Sequence, residues 1–269
     1  MTESQRPLAL VTGASSGLGA EFARAYAARG YDLLLTARRL DRLEALAAEL
    51  SAAHGIEAFC VSADLGTFEA ERPILEALLA RGRTADVLVN NAGFSIPQSF
   101  GAVPWSRQRD FLMTLIVAPC ALAHAILPDM IERGAGRIIN VASMASFAPG
   151  AAGHSLYPGA KSLMLTFSQS LDAEYRAKGL KVTAICPGFT RTGFAEANAT
   201  AHLMDDAPRL FWQSAQTVVA AAIAGNEAGK VVVIPGWHNK LAALLLQHLP
   251  QGLVRAVVRA GSAKYHLGD

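Results

Sequence analysis

Leu8-Ala9-Leu10-Val11 runs straight into Thr12-Gly13-Ala14-Ser15-Ser16-Gly17-Leu18-Gly19, and a helical pattern of Phe22, Ala23, Tyr26 and Ala27 follows before Gly30. A short, wholly apolar run is the mark of a strand covered on both sheet faces. A glycine-rich turn from such a strand into a helix gathers backbone N–H groups and the positive end of the helix dipole around one small volume, which suits a phosphate. Gly13 and Gly17 relieve tight backbone geometry, and Gly19 permits close approach of the helix or of a pyrophosphate. The spacing is G-x-x-x-G-x-G. A P-loop is excluded because Leu18, not lysine, follows Gly17. Gly13-x-Ser15-x-Gly17 also satisfies the nucleophile elbow of serine hydrolases, but it follows the first strand, with no upstream strand to bring part of an oxyanion hole.

Strand and helix patterns then alternate. Tyr31–Thr36, Ile56–Val61, Asp86–Asn90, Gly136–Val141, Leu180–Cys186 and Lys230–Ile234 read as strands. Arg39–Ala53, about Thr67–Arg81, Trp105–Arg133 and Ser155–Lys178 read as helices. Such alternation predicts an α/β fold, a parallel sheet with helices on both faces, as one domain over residues 1–269. Hydrophobic residues make up 52% against 17% charged, which provides for a large core. A net charge of +2, scattered along the chain, gives nucleic acid no footprint. Cys60, Cys120 and Cys186 lie far apart without metal-ligand spacing, so they read as reduced, buried small hydrophobes in a cytoplasmic protein and no metal site is expected. The polar start is no signal peptide, and no apolar run reads as a membrane span.

The end of the second strand bears on the cofactor. An acid there would bind the adenosine ribose, whereas arginine accommodates a 2′-phosphate. Here the residues are Thr36-Ala37-Arg38-Arg39. Two guanidinium groups at a helix N-terminus oppose the dipole unless an anion sits nearby. This favours NADP(H) over NAD(H), with Arg38 able to hold the phosphate bidentately.

Tyr157-Pro158-Gly159-Ala160-Lys161 places a phenol and an ammonium one helical turn apart, with Pro158 in the first turn. A free tyrosine titrates near pH 10, so lowering it by about three units needs roughly 4 kcal/mol of preference for the phenolate. A neighbouring lysine cation in a site screened from water can provide it. Ser143 ends the fifth strand, at the carboxyl edge where ligands of such sheets bind.

Taken together, these residues resemble the short-chain dehydrogenases/reductases, from Leu8 to about Ile234. The resemblance rests on Thr12-Gly13-x-x-x-Gly17-x-Gly19, Asp64, Asn90-Asn91-Ala92-Gly93, Ser143, Tyr157-x-x-x-Lys161 and Pro187-Gly188. It implies a seven-stranded, doubly wound Rossmann sheet and hydride transfer between a nicotinamide and a carbonyl/alcohol pair. Tyr157 is then the proton donor or acceptor, Ser143 binds the carbonyl oxygen, and Lys161 holds the nicotinamide ribose and lowers the Tyr157 pKa. Gly13, Ser15, Ser16, Gly17, Leu18 and Gly19 would cradle the pyrophosphate side, and Arg38 and Arg39 the adenosine phosphate. Asp64 and Leu65 would meet the adenine. Asn91, Ala92 and Gly93 would line the cofactor, while Asn90 braces its strand. Pro187, Gly188, Thr190 and Thr192 would touch the nicotinamide side. One departure is Thr114, aligned where many members carry an asparagine that holds a relay water.

Residues after the strands, including Phe94, Ser95, Met144, His154, Phe189 and 194–212, are mostly apolar and point to an apolar ketone or aldehyde, or the corresponding alcohol. Residues 190–212 read as a substrate lid. The C-terminal extension 237–259 reads as a lid or subunit contact, with a membrane surface as the lesser alternative because its cations are sparse. The two long helices resemble the family's dimerisation pair, so a homodimer or homotetramer is expected. A catalytically silent NADP(H)-binding sensor is the alternative function, opposed by the intact Ser143, Tyr157 and Lys161.

Overall fold

Residues 5–150, 152–191 and 211–262 are described by a computed structural model. The strands are β1 (Leu8–Thr12), β2 (Asp32–Ala37), β3 (Ala58–Ser62), β4 (Val87–Asn90), β5 (Gly136–Val141), β6 (Leu180–Ile185), the short β7 (Thr190–Arg191) and β8 (Gln213–Ser214), and β9 (Val232–Val233). Seven of them form one parallel sheet in the order β3-β2-β1-β4-β5-β6-β9. The order reverses between β1 and β4, which opens a crevice at the carboxyl edge between the turns that follow those two strands.

Side chains alternate across the pleat, and both sides of β1 are buried. Ala9 and Val11 pack beneath α1 (Gly17–Ala27), α2 (Leu40–His54) and α7 (Ala215–Glu227), with Phe22, Leu43 and Val218 fully buried there. Leu8 and Leu10 face α3 (Arg72–Leu79), α5 (Ala118–Glu132) and α6 (Tyr157–Tyr175), against Ile74, Leu122 and Met130. Each such leucine removed from water contributes about 1.5–3 kcal/mol, so both layers are fixed by β1.

Three differences from the sequence reading have local causes. The third helix begins at Arg72 rather than near Thr67, because Asp64 closes a turn on Gly66 and Thr67 and Pro73 suits a helix's first turn. The helix of 105–132 does pass as a membrane span by length and composition, contrary to expectation, yet half of its most apolar window is buried inside the molecule. Leu122, Ala123, Ile126 and Met130 bind it to the sheet, which makes it a core helix. It is also not continuous α-helix: α4 (Trp105–Leu112) passes through a π turn at Met113–Val117 before α5. Of the lid expected at 190–212, only its ends fall within the described residues, where β7 and β8 pair in parallel.

Two further helices close the chain, α8 (Trp237–His248) and α9 (Gln251–Ser262).

Candidate active site

At the crevice, Gly13 and Gly17 have φ values of +65° and +60°, a region that disfavours side chains. Space forbids them too. A Cβ on Gly13 would stand 2.8 Å from Ala92 Cα, and one on Gly19 would collide with the Gly13 carbonyl. The turn therefore presents bare backbone beneath the N-terminus of α1, a cradle for an anionic group. Above it, the Arg39 guanidinium donates to Ser15 Oγ (3.0 Å) and Ser16 Oγ (3.2 Å). It is thus Arg39, more than Arg38, that stands over the turn; Arg38 is exposed, and its carbonyl accepts from Ser62 Oγ. With Arg39 as its partner, Ser15 has the setting of an anion-site hydroxyl, not of a hydrolase nucleophile.

The two walls are tied by Thr12, the polar residue that ends the apolar first strand and begins the glycine motif. Thr12 Oγ1 donates to Val89 O (3.2 Å) and accepts from the backbone N–H of Asn91 (2.9 Å) and Ala92 (3.0 Å). Asn91 Nδ2 returns the tie to Thr12 O at 2.8 Å. One strand over, Asn90 Nδ2 donates to Asn140 Oδ1 (2.9 Å) and Asn140 Nδ2 to Ser168 Oγ (2.8 Å), all buried. Asn90 thus braces β4 against β5 and α6. Asp64 lies exposed beyond β3, one carboxylate oxygen held by Gly66 N–H, and Leu65 is buried behind it. Gly93 sits against Leu115.

Lys161 is 7% exposed, and its Nζ donates to Val141 O at 2.7 Å, two residues before Ser143. The same ammonium lies 5.7 Å from the centre of the Tyr157 ring. Burial lowers the lysine pKa to about 8, so at neutral pH the cation persists although held at a cost. Ser143 Oγ accepts from Ala145 N–H (3.1 Å), and Ser146 Oγ donates to Lys161 O (2.8 Å), which locks the turn after β5 onto α6. Met144 N–H donates to Pro187 O, and Thr190 Oγ1 to Gly188 O, so the segment after β6 closes the same edge. Thr192 lies outside the described residues. Beneath Lys161 and Ser143 lies Cys186, a buried thiol that desolvation pushes up to about 12 and so keeps protonated.

Thr114, the residue aligned with the relay asparagine, is buried, and its hydroxyl donates to Asp110 O (2.8 Å) within its own helix. Leu115 joins the apolar cluster on which Tyr157 packs. Both lie within the π turn. The adjoining cavity is lined by Ile96, Gln98, Gln108, Phe111, His154 and Tyr157, among others. Of the residues expected to line it, His154 is present; the glutamines and Phe111 were missed. Phe111 lies 6.5 Å from the Tyr157 ring and His154 6.0 Å, centre to centre. Burial lowers the His154 pKa, favouring neutral imidazole.

A switch-point crevice with a bare glycine turn, leading to a phenol and an ammonium on one helix, defines a dinucleotide-dependent oxidoreductase. The short chain dehydrogenase family profile matches residues 7–202. An oxidoreductase of Myxococcus xanthus, itself described as uncharacterized, is 33% identical over 259 residues, covering 96% of this chain and 99% of that protein. Among solved structures, a short-chain dehydrogenase from Sphingobium yanoikuyae in complex with NADPH is 32% identical, with a TM-score of 0.80 over 93% of this chain and 95% of the other. The bulky-bulky ketone specific alcohol dehydrogenase from Comamonas testosteroni is 29% identical, with a TM-score of 0.77 over 98% of this chain and all of the other. The chain belongs to the short-chain dehydrogenase/reductase family, and it is an oxidoreductase of that family.

Proposed function

We propose that this protein reduces an apolar ketone or aldehyde, or oxidises the matching alcohol, with NADP(H). The observation that carries the reading is the buried Lys161 ammonium beneath the Tyr157 ring, anchored on the strand that ends at Ser143. When bound, NADPH supplies the hydride for the carbonyl carbon. Tyr157 donates its phenolic proton to the carbonyl oxygen, and Lys161 stabilises the phenolate left behind. Ser143 accepts from Ala145 N–H and directs its own proton at that oxygen, where negative charge develops. The bare backbone at Gly13 and Gly19 receives the pyrophosphate, and Arg39 with Ser15 and Ser16 forms the 2′-phosphate seat. The NADPH bound to the Sphingobium relative supports the preference.

The described lining suits a neutral substrate. It offers glutamine amides, aromatic rings and a histidine that burial favours as neutral, and no Lys, Arg, Asp or Glu is among the described lining residues. The ketone preference named for the Comamonas enzyme supports the same reading. Assembly through α4–α5 and α6 as a homodimer or homotetramer belongs to this proposal, and a monomeric mass at micromolar concentration contradicts it. The three free thiols suit a reducing compartment such as the cytoplasm. A panel of ketones and aldehydes with NADPH and NADH tests the function. Turnover of neutral hydrophobic carbonyls with NADPH is the expected outcome, and a requirement for NADH or for anionic substrates overturns it.

A further inference from the structure

Cations are sparse in 237–259, but no acid in that stretch offsets them, and charge is distributed unevenly along this chain. From residue 228 onward there are five cations (Lys230, Lys240, Arg255, Arg259 and Lys264) and a single acid, Asp269. That segment therefore carries a formal +4 of the total +2, leaving the preceding 227 residues at −2. Within it, α8 is pinned by one face. Asn239 Nδ2 donates to Gln213 Oε1 at 3.4 Å, Asn239 and Ala243 are buried, and a Cβ on Gly188 would run into the Asn239 amide. The opposite face carries Trp237, Leu241 and Leu244 at helical spacing, 67%, 49% and 52% exposed. After Leu249-Pro250 the same character continues on α9, where Val254 is buried while Leu253 and Val257 point outward. Single exposed apolar residues are ordinary, but a run of them on two successive helices is a binding surface.

We propose that this face of α8 and α9 docks the protein on an anionic lipid bilayer surface. Each helix has 12 residues, too short to span but suited to lying in the interface plane with leucines and tryptophan sunk among the acyl chains. Trp237 suits the headgroup level. Lys240 is exposed beside the α8 stripe and Arg255 and Arg259 are exposed on the polar side of α9, and each cation near an anionic surface strengthens attachment roughly fivefold. A second copy of this chain fits less well. A two-fold interface sets this patch against its own copy, so a cationic surface would meet another cationic surface, with no acid between residues 228 and 268 to pair it. A lid over the substrate cavity would use the inward face, which already holds Asn239 and Ala243 against the body.

The test is co-sedimentation of the full chain with vesicles of phosphatidylcholine alone and of phosphatidylcholine mixed with phosphatidylglycerol. Binding to the mixed vesicles, weakened by salt and at least about tenfold tighter than to phosphatidylcholine alone, is expected. The L241D/L244D double variant is expected to lose at least about tenfold in vesicle affinity while keeping its solution mass and its NADPH binding. Should that variant fail to fold, Lys240→Glu with Arg255→Glu, both at exposed positions, is expected to abolish the preference for phosphatidylglycerol. Two results overturn the proposal: no sedimentation with either vesicle, or a fall in the solution mass of the L241D/L244D variant without any vesicle binding by the parent, which would place a second copy on this face.

Discussion

Around Thr12, Asn90 and Asn140, buried side-chain hydrogen bonds cross-link β1, β4, β5 and α6 at the carboxyl edge of the sheet. At the far end of that edge, the buried Asn239 amide of α8 donates to Gln213 Oε1 at 3.4 Å, and the helix turns its leucines outward. In the first region the donors of Asn90, Asn140 and Thr12 are each matched to an acceptor, while Asn90 Oδ1 is buried without a partner among the described residues, so displacing an acceptor leaves its donor unsatisfied. That keeps the glycine turn, Ser143 and Lys161 in fixed relation. The second region is held mainly by apolar packing, which tolerates substitution and can present surface to a substrate or a bilayer. Chemistry needs positions fixed to fractions of an ångström, whereas choice of substrate or surface does not.

Substitutions can break this contrast, in descending order of effect. Tyr157→Phe removes the proton donor from a half-exposed position and is expected to lower kcat by about 10³-fold, with melting temperature almost unchanged. A comparable loss of stability would show that Tyr157 is mainly structural.

Lys161→Met separates function from stability in the other direction. Reduction is expected to fall about 10²-fold, while stability at pH 7 rises on the order of 1–2 kcal/mol because a buried ammonium is removed. The folded pKa of about 8 lies below the unfolded value of 10.5, so the unfolded chain holds more protons between these values. Wild-type stability should then climb from about pH 8 to 10.5, and this climb should be absent from Lys161→Met. Denaturant titrations of both proteins across that range check the sign.

Asn140→Leu removes one of the two acceptors of the Asn90 amide, leaving that N–H buried and unpaired, and is expected to cost about 2–3 kcal/mol, read from urea midpoints. Arg39→Ala should weaken NADPH relative to NADH by about tenfold to thirtyfold in KM, with Arg38→Ala having less effect. Asn239→Ala, the matching test in the second region, should cost only about 1 kcal/mol. If Asn239→Ala proves as damaging as Asn140→Leu, the two regions do not differ as described.

How legible each part was in the sequence follows from the range of the interactions that set it. Thr12–Gly19 and Tyr157-x-x-x-Lys161 are local spacings whose geometry follows from strand, turn and helix periods, and the parallel sheet follows from apolar strands alternating with amphipathic helices. The π turn was not legible, because Met113-Thr114-Leu115-Ile116-Val117 carries ordinary helix formers and only packing selects the extra residue. Leu115, within that turn, lies in the cluster on which Tyr157 packs. Adjacent arginines at the end of β2 differ in side-chain direction, which spacing does not reveal, and it is Arg39 that makes the contacts to Ser15 and Ser16. The cavity lining escaped for a similar reason. Gln98, Gln108 and Phe111 come from segments brought to Tyr157 by tertiary packing.

The most direct measurement is transfer of label from NADPH deuterated at the nicotinamide C4 to a neutral hydrophobic ketone, followed by mass spectrometry of the alcohol. The expected result is deuterium on the carbinol carbon with the wild-type protein, and product formation cut about 10³-fold in Tyr157→Phe. Undiminished labelled product from Tyr157→Phe, or none from the wild type with any neutral carbonyl, would contradict the assignment of Tyr157, Lys161 and Ser143 to carbonyl reduction.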